Sequence, residues 1–115
     1  MLWRYKISGR IRVAETGEPL AGLVVRAWDK DLIFDDPLGD ARTDAEGRFE
    51  IAFTDERFRQ VFDENPDEYL RVYDASGRHE LHSTRGAVRR NAGEMEHFEI
   101  AIPAERLAAV GTEAR

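Results

Sequence analysis

The clearest fold signal in the chain is the stretch Thr43-Asp44-Ala45-Glu46-Gly47-Arg48-Phe49-Glu50-Ile51-Ala52-Phe53. Apolar and polar residues alternate along its second half, which is the period of a half-buried β-strand. The four residues before this strand form a tight-turn sequence, in which Gly47 is suited to a positive φ. Because residues 41–43 are also extended in character, the stretch predicts a β-hairpin. Its inward face would hold Phe49, Ile51 and Phe53.

Strand patterns recur on both sides of this hairpin. They fall at residues 5–13, 23–28, 69–73, 79–84 and 97–102, with turn sequences between them. The Asp-rich residues 29–40 have no period and predict a loop, and a short helix is predicted near residues 55–62. About seven strands without alternating helices predict an all-β, Greek-key β-sandwich. Residues 1–103 would form this single domain, and residues 104–115 a tail with a weak helical turn.

Composition limits the class of protein. The 115 residues are 42% hydrophobic and 35% charged, with no cysteine and a net charge of −6. This length suits one domain, the hydrophobic share excludes disorder, and no apolar run is long enough to span a bilayer. Without cysteine there is no disulfide framework. We expect no membrane partner, no nucleic-acid partner because the chain is acidic, and a cytoplasmic location because the first residues lack the apolar core of a signal peptide.

Three stretches resemble transthyretin-like and carboxypeptidase-regulatory-like domains. They are Ile7-Ser8-Gly9-Arg10-Ile11, then Thr16-Gly17-Glu18-Pro19-Leu20-Ala21-Gly22-Leu23-Val24-Val25, and Thr43-Asp44-Ala45-Glu46-Gly47-Arg48-Phe49. The acidic residues 29–40 are similar to a stretch of nematode-type transthyretin-like proteins. The resemblance covers most of residues 7–53 and implies a prealbumin-like sandwich of seven or eight strands. It implies no activity, since members of this superfamily differ widely in function.

Two enzymatic relatives can be compared with the residues. The 5-hydroxyisourate hydrolases carry a Y-R-G-S terminus and an N-terminal histidine motif, whereas this chain ends differently and has no histidine before His79. Intradiol dioxygenases hold ferric iron with two tyrosines and a histidine pair spaced H-x-H. Here His79 and His82 are three residues apart and would face opposite sides of a regular strand. That enzyme class is therefore disfavoured, although Tyr69, Tyr73 and His97 remain as further candidate ligands.

The acidic loop is a candidate calcium site. Calcium takes clustered carboxylate and carbonyl oxygens, and the candidate ligands are Asp29, Asp31, Asp35 and Asp36. The loop is not an EF-hand, because Ile33 and Phe34 occupy the positions that need a carboxylate and a glycine. The alternative is a solvated loop whose aspartates form local turns. The three histidines are a second candidate metal site, and ordinary strand histidines are the alternative there.

A partner-binding surface is the leading functional prediction. Trp28 falls on the strand face opposite Leu23, Val25 and Ala27, and residues 78–90 contain four arginines against one glutamate. The candidate binding residues are Trp28, Tyr73, Arg85, Arg89 and Arg90. The alternative for the arginines is that they neutralise acidic regions within the chain or on a neighbouring subunit.

No nucleophile elbow, phosphate loop or dinucleotide motif is present. The sequence therefore predicts a non-enzymatic module that binds a protein partner or a second copy of itself, with no cofactor other than the candidate calcium. Two alternatives stay open, a carbohydrate- or small-ligand-binding domain and a metal-dependent enzyme. Charge is also uneven, since residues 29–46 carry seven acidic side chains against two basic ones.

Overall fold

Two sheets pack face to face in the computed structural model, which describes residues 3–57 and 65–113. Seven strands lie in these ranges: β1 (Arg4–Val13), β2 (Val24–Asp29), β3 (Asp36–Arg42), β4 (Arg48–Thr54), β5 (Glu68–Tyr73), β6 (Glu80–Ser83) and β7 (Met95–Ile102). One sheet has the order β4-β1-β7 and the other the order β3-β2-β5-β6. The prediction of an all-β sandwich of about seven strands is confirmed.

The core lies between the two sheets and consists of the apolar residues that alternate along each strand. Ile7, Val25, Leu70 and Ile102 are almost completely buried in it. The predicted inward face of β4 is confirmed, because Phe49, Ile51 and Phe53 belong to the same cluster. Period-two patterning thus predicted correctly which faces of β2 and β4 are buried.

The predicted hairpin at residues 41–53 is wrong as a strand pair. Its turn forms, with Gly47 at a φ of 74° and its N–H donated to the Asp44 carbonyl. The two flanking strands then separate, since β3 pairs with β2 whereas β4 pairs with β1. Alternation specifies which face of a strand is buried but not which neighbour it pairs with, so the turn connects one sheet to the other.

The loop predicted at residues 29–40 is wrong over its second half, because β3 already begins at Asp36. Leu38, only 2% exposed, anchors this strand in the core. Pro37 has no N–H to donate, but it fits in β3 because β3 is an edge strand whose pairing with β2 shifts register next to Trp28.

Helical structure differs from the prediction at both places. Near residues 55–62, a 3₁₀ turn covers Asp55–Arg57, and residues 58–64 lie outside the described ranges. The predicted weak turn in the tail is instead a ten-residue helix, α1 (Ala104–Glu113). It begins where the Glu15 carboxylate accepts the Ala104 N–H at 2.9 Å, and Leu107 packs against the core. None of the described helices is long and apolar enough to cross a membrane.

Candidate functional site

The connection between β2 and β3 presents three consecutive apolar side chains to solvent. Leu32, Ile33 and Phe34 are 99%, 82% and 80% exposed, and we call these three residues the apolar tip. Scattered apolar residues are common on protein surfaces, but a contiguous group of large ones marks an interaction site. From the sequence, this segment was predicted only as a metal-binding loop, and the apolar tip was not predicted. The run Leu-Ile-Phe within an otherwise polar loop is the sequence feature that indicates it.

Beneath the apolar tip lies the outer face of the four-stranded sheet. Trp28 of β2 and Tyr69 of β5 are register partners there, and Arg71 follows on the same face of β5. Arg85, from the 3₁₀ turn Arg85–Ala87, completes a group of four residues that we call the platform. The platform, Ile33, Phe34 and Asp35 enclose a cavity of about 330 Å³. The exposed tip and the aromatic platform are thus two walls of one depression.

Asp35 fastens the apolar tip to the platform. Its Oδ2 accepts a hydrogen bond from the Tyr69 hydroxyl at 2.5 Å and a long one from Arg85 Nε at 3.5 Å. Its Oδ1 accepts the Asp31 N–H at 3.1 Å. The Tyr69 hydrogen bond is the main reason that the pKa of Asp35 lies below its ordinary value. Asp35 therefore ties the loop that carries the exposed side chains to the platform.

We expect Asp35→Ala to release the tip without unfolding the sandwich. Loss of these hydrogen bonds should reduce the free energy of unfolding by about 1–2 kcal/mol and speed amide exchange of Asp31 roughly tenfold. Hydrogen exchange read by NMR checks this result, with Asp40→Ala on the exposed edge strand as the matched control. Equal exchange of Asp31 in the two variants would show that Asp35 does not hold the tip.

Two N–H groups of the platform are buried and unpaired. Trp28 Nε1 and Arg71 Nε are inaccessible to solvent and have no acceptor among the described residues. The guanidinium carbons of Arg71 and Arg85 lie 5.8 and 5.7 Å from the centroid of the Tyr69 ring. The platform therefore combines aromatic surface, two cations and two donors with hydrogen-bonding capacity to spare.

A buried carboxylate, that of Glu68, lies at the start of β5. Glu68 is 1% exposed, neither of its carboxylate oxygens has a hydrogen-bond partner in the described chain, and burial raises its pKa to about 8. The negative charge of Glu96 raises the pKa further, whereas Arg89 opposes the shift. Its register partner Asp29 also has a pKa raised by burial, to about 6. Sequence patterning placed Glu68 in no strand and gave no sign of its burial.

The structure brings together only part of the predicted partner-binding set. Trp28 and Arg85 line the same cavity, whereas Tyr73 lies further along the sheet with the Arg26 guanidinium 4.5 Å from its ring. Arg89 pairs with Glu96 at 3.0 Å, and Arg90 pairs with Asp67 at 3.3 Å. These last two arginines thus form ion pairs with acidic side chains of the chain itself.

Three of the four candidate calcium ligands have separate hydrogen-bond partners. Asp29 accepts the Asp67 N–H, Asp31 accepts the N–H of Leu32, and Asp35 faces Tyr69. Asp36 lies at the start of β3, where burial is the main cause of its raised pKa. Within residues 3–57 and 65–113, no three acidic, histidine or cysteine side chains are grouped so as to hold a metal ion. The calcium site stays a prediction that this geometry does not support.

The histidines are also dispersed, and one belongs to a network that sequence reasoning missed. His79 Nδ1 lies 2.8 Å from Asp74 Oδ2, and His82 lies on β6. His97 lies between Ser8 Oγ at 3.2 Å and Glu99 Oε1 at 3.1 Å, because β1 and β7 pair in parallel. About half of the His97 and Glu99 side-chain surfaces is exposed, and Arg10 and Arg12 share the Glu99 carboxylate. We interpret this group as a hydrated surface network.

Comparisons with known proteins concern the fold. No protein-family model matches the chain, and no curated protein matches it in sequence. Among solved structures it is similar to a 9R-lipoxygenase from Cyanothece PCC8801, with 26% identity and a TM-score of 0.63 over 85% of this chain. The similar region is 16% of the lipoxygenase chain. The dioxygenase domain of a dioxygenase and carbohydrate-binding protein fusion from Streptomyces sp. SirexAA-E has 17% identity and a TM-score of 0.49, covering 87% of this chain and 79% of that one. This second likeness supports no further statement.

Proposed function

We propose that this chain is a non-catalytic β-sandwich module that docks on a protein partner through the apolar tip and the platform. The observation that carries the proposal is the group of three highly exposed apolar residues, Leu32, Ile33 and Phe34, beside Trp28 and two arginines. Tryptophan, tyrosine and arginine are the residue types that dominate protein-interface energetics, and they do so beside apolar contacts that exclude water.

The charge around the tip favours a protein over a lipid surface. Asp31 is exposed next to Leu32, and Asp36 follows on β3, against the single cation Lys30 in this connection. The cytoplasmic surface of a membrane is anionic and would repel these carboxylates. A protein surface can instead combine an apolar hollow for the tip with charges of both signs, which complement the aspartates of the connection and the arginines of the platform.

The likeness to the lipoxygenase is in keeping with a modular role. In that protein, a region of this fold makes up 16% of a much longer chain. A sandwich of this kind can therefore occur beside other structure, against which it can dock. Membership of the transthyretin-like superfamily stays a prediction from residues 7–53, and so does the metal-dependent enzyme.

Site-specific photo-crosslinking tests the proposal. A benzophenone amino acid replaces Phe34 in one version of the protein and Ala52, on the outer face of the other sheet, in the control. In cells that produce the protein, we expect a discrete adduct from position 34 and none from position 52. An adduct of twice the chain mass would identify the partner as a second copy. Equal labelling from both positions would contradict the proposal.

A carbohydrate- or small-ligand-binding domain is the second candidate. Trp28 also lines a neighbouring depression of about 280 Å³, with Arg26, Pro37 and Asp40 among its other residues. A sugar ring can stack on an indole in such a place. Titration with neutral oligosaccharides, followed through the indole resonance of Trp28, would favour this function if the signal moves and saturates. An unchanged resonance across the oligosaccharides tested would count against it.

A further inference from the structure

We infer that the cavity between the apolar tip and the platform receives a carboxylate side chain of the partner, with an apolar side chain next to it. The inference rests on the proposed function and assigns the chemistry of the partner segment. Its residues are Trp28, Arg71 and Arg85 as donors, with Ile33 and Phe34 as apolar walls.

The need for an acceptor comes from the two unpaired donors. Trp28 Nε1 and Arg71 Nε are buried without a hydrogen bond within the described chain. An unpaired buried donor destabilises a protein, and native structures rarely keep two of them on neighbouring residues of one cavity. Both atoms are closed to water in the free protein, so a carboxylate reaches them only when the Arg71 side chain shifts, and its several lone-pair sites can then pair with both donors.

The charge of the cavity selects an anion. Among the residues that line the cavity, Arg71 and Arg85 are accompanied by one carboxylate, that of Asp35, which already accepts hydrogen bonds from Tyr69 and from the Asp31 N–H. The existing ion pairs of the two arginines are long, 3.6 Å from Arg71 to Glu80 and 3.5 Å from Arg85 to Asp35. Both guanidinium groups therefore keep donors for a second carboxylate, which they recognise better than a neutral amide.

The apolar side chains that line the cavity favour a partner segment with an apolar residue next to its carboxylate. Phe34 and Ile33 line the cavity and continue outward into Leu32, which is 99% exposed. A carboxylate alone would leave this surface in contact with water. A partner segment with an acidic residue beside leucine-like residues would cover the tip while its charge reaches the platform.

The indole resonance of Trp28 gives a direct readout, because the chain contains only two tryptophans. Trp3→Phe assigns the two indole signals, and Trp3 serves as the internal reference in the unmodified protein. The probes are the acetylated, amidated tripeptide Leu-Glu-Leu and its matched Leu-Gln-Leu analogue. We expect the Glu peptide to move the Trp28 indole proton downfield with saturation, and the Gln peptide to bind at least about tenfold more weakly.

Arg85→Gln should weaken binding of the Glu peptide about tenfold, whereas Arg78→Gln, at the exposed turn after β5, should leave it unchanged. Arg85 is exposed, so this variant is expected to fold. Equal shifts with the two peptides, or unchanged binding in Arg85→Gln, would overturn the inference. Crosslinking at position 34 depends on contact and not on a carboxylate, so it can succeed when this titration fails.

Discussion

Gly9→Ala is expected to destabilise the sandwich by about 3 kcal/mol, enough to lower the Tm by more than ten degrees. Gly9 lies in the middle of β1, which is hydrogen-bonded on both sides within its sheet. A Cβ at this position would lie 2.5 Å from the Phe98 carbonyl oxygen and 2.5 Å from the Phe49 ring. The carbonyl cannot withdraw because the neighbouring strand fixes it, so the strands themselves must shift.

Thermal and urea unfolding measure this loss, and Gly86→Ala is the matched control. Among the described residues, no atom lies within 4 Å of a Cβ at Gly86, so the change in the free energy of unfolding should stay within about 0.5 kcal/mol. Similar midpoints for the two variants would mean that β1, β4 and β7 are not packed as described.

Glu68→Gln should stabilise the protein by about 4 kcal/mol above pH 8, since burial raises the pKa of Glu68 to about 8 from 4.5. Between these two values the folded protein keeps a proton that the unfolded chain has released. The free energy of unfolding of the unmodified protein therefore falls as the pH rises through this window. Glutamine is neutral at every pH, so the variant loses the part of the pH dependence that Glu68 causes. Near pH 4.5 its free energy of unfolding should be close to that of the parent.

Denaturant unfolding at several pH values checks this prediction. The pKa of Asp29 is raised to about 6, so in both proteins the free energy of unfolding also falls by a smaller amount as the pH rises towards 6. Glu50→Gln is the control, because that carboxylate is exposed and pairs with Lys6 at 3.4 Å, so the change removes no buried charge. If the free energy of unfolding depends on pH in the same way in the parent and in Glu68→Gln, Glu68 is not a buried, unpaired carboxylate.

The alternation of apolar residues was sufficient to predict the fold class and the inward face of β4. Local patterns could not predict pairing over long distances, so the residues that flank Gly47 were assigned to one hairpin instead of two sheets. The start of α1 depends on Glu15, 89 residues from Ala104, and no local pattern contains that contact. The Asp-rich composition of residues 29–40 hid the strand that Leu38 anchors.

The candidate site was predictable in part for the same reason. Trp28 was correctly placed on the outer face by alternation. Arg89 and Arg90 were predicted as binding residues, and their ion pairs with Glu96 and Asp67 depend on contacts that local charge counting does not contain. The apolar tip was not predicted, because Ile33 and Phe34 were considered only as residues that do not fit a calcium-binding motif. The cavity itself depends on the Asp35 and Tyr69 contact across 34 residues, which only the folded chain reveals.

The most direct test of docking through the tip and the platform is competition for the crosslink at position 34. Excess unlabelled parent protein should abolish the adduct. An equal excess of the triple variant Leu32→Ser, Ile33→Ser and Phe34→Ser should leave it unchanged, provided that the variant unfolds at the same temperature as the parent. If the triple variant competes as well as the parent, the module does not dock through this surface.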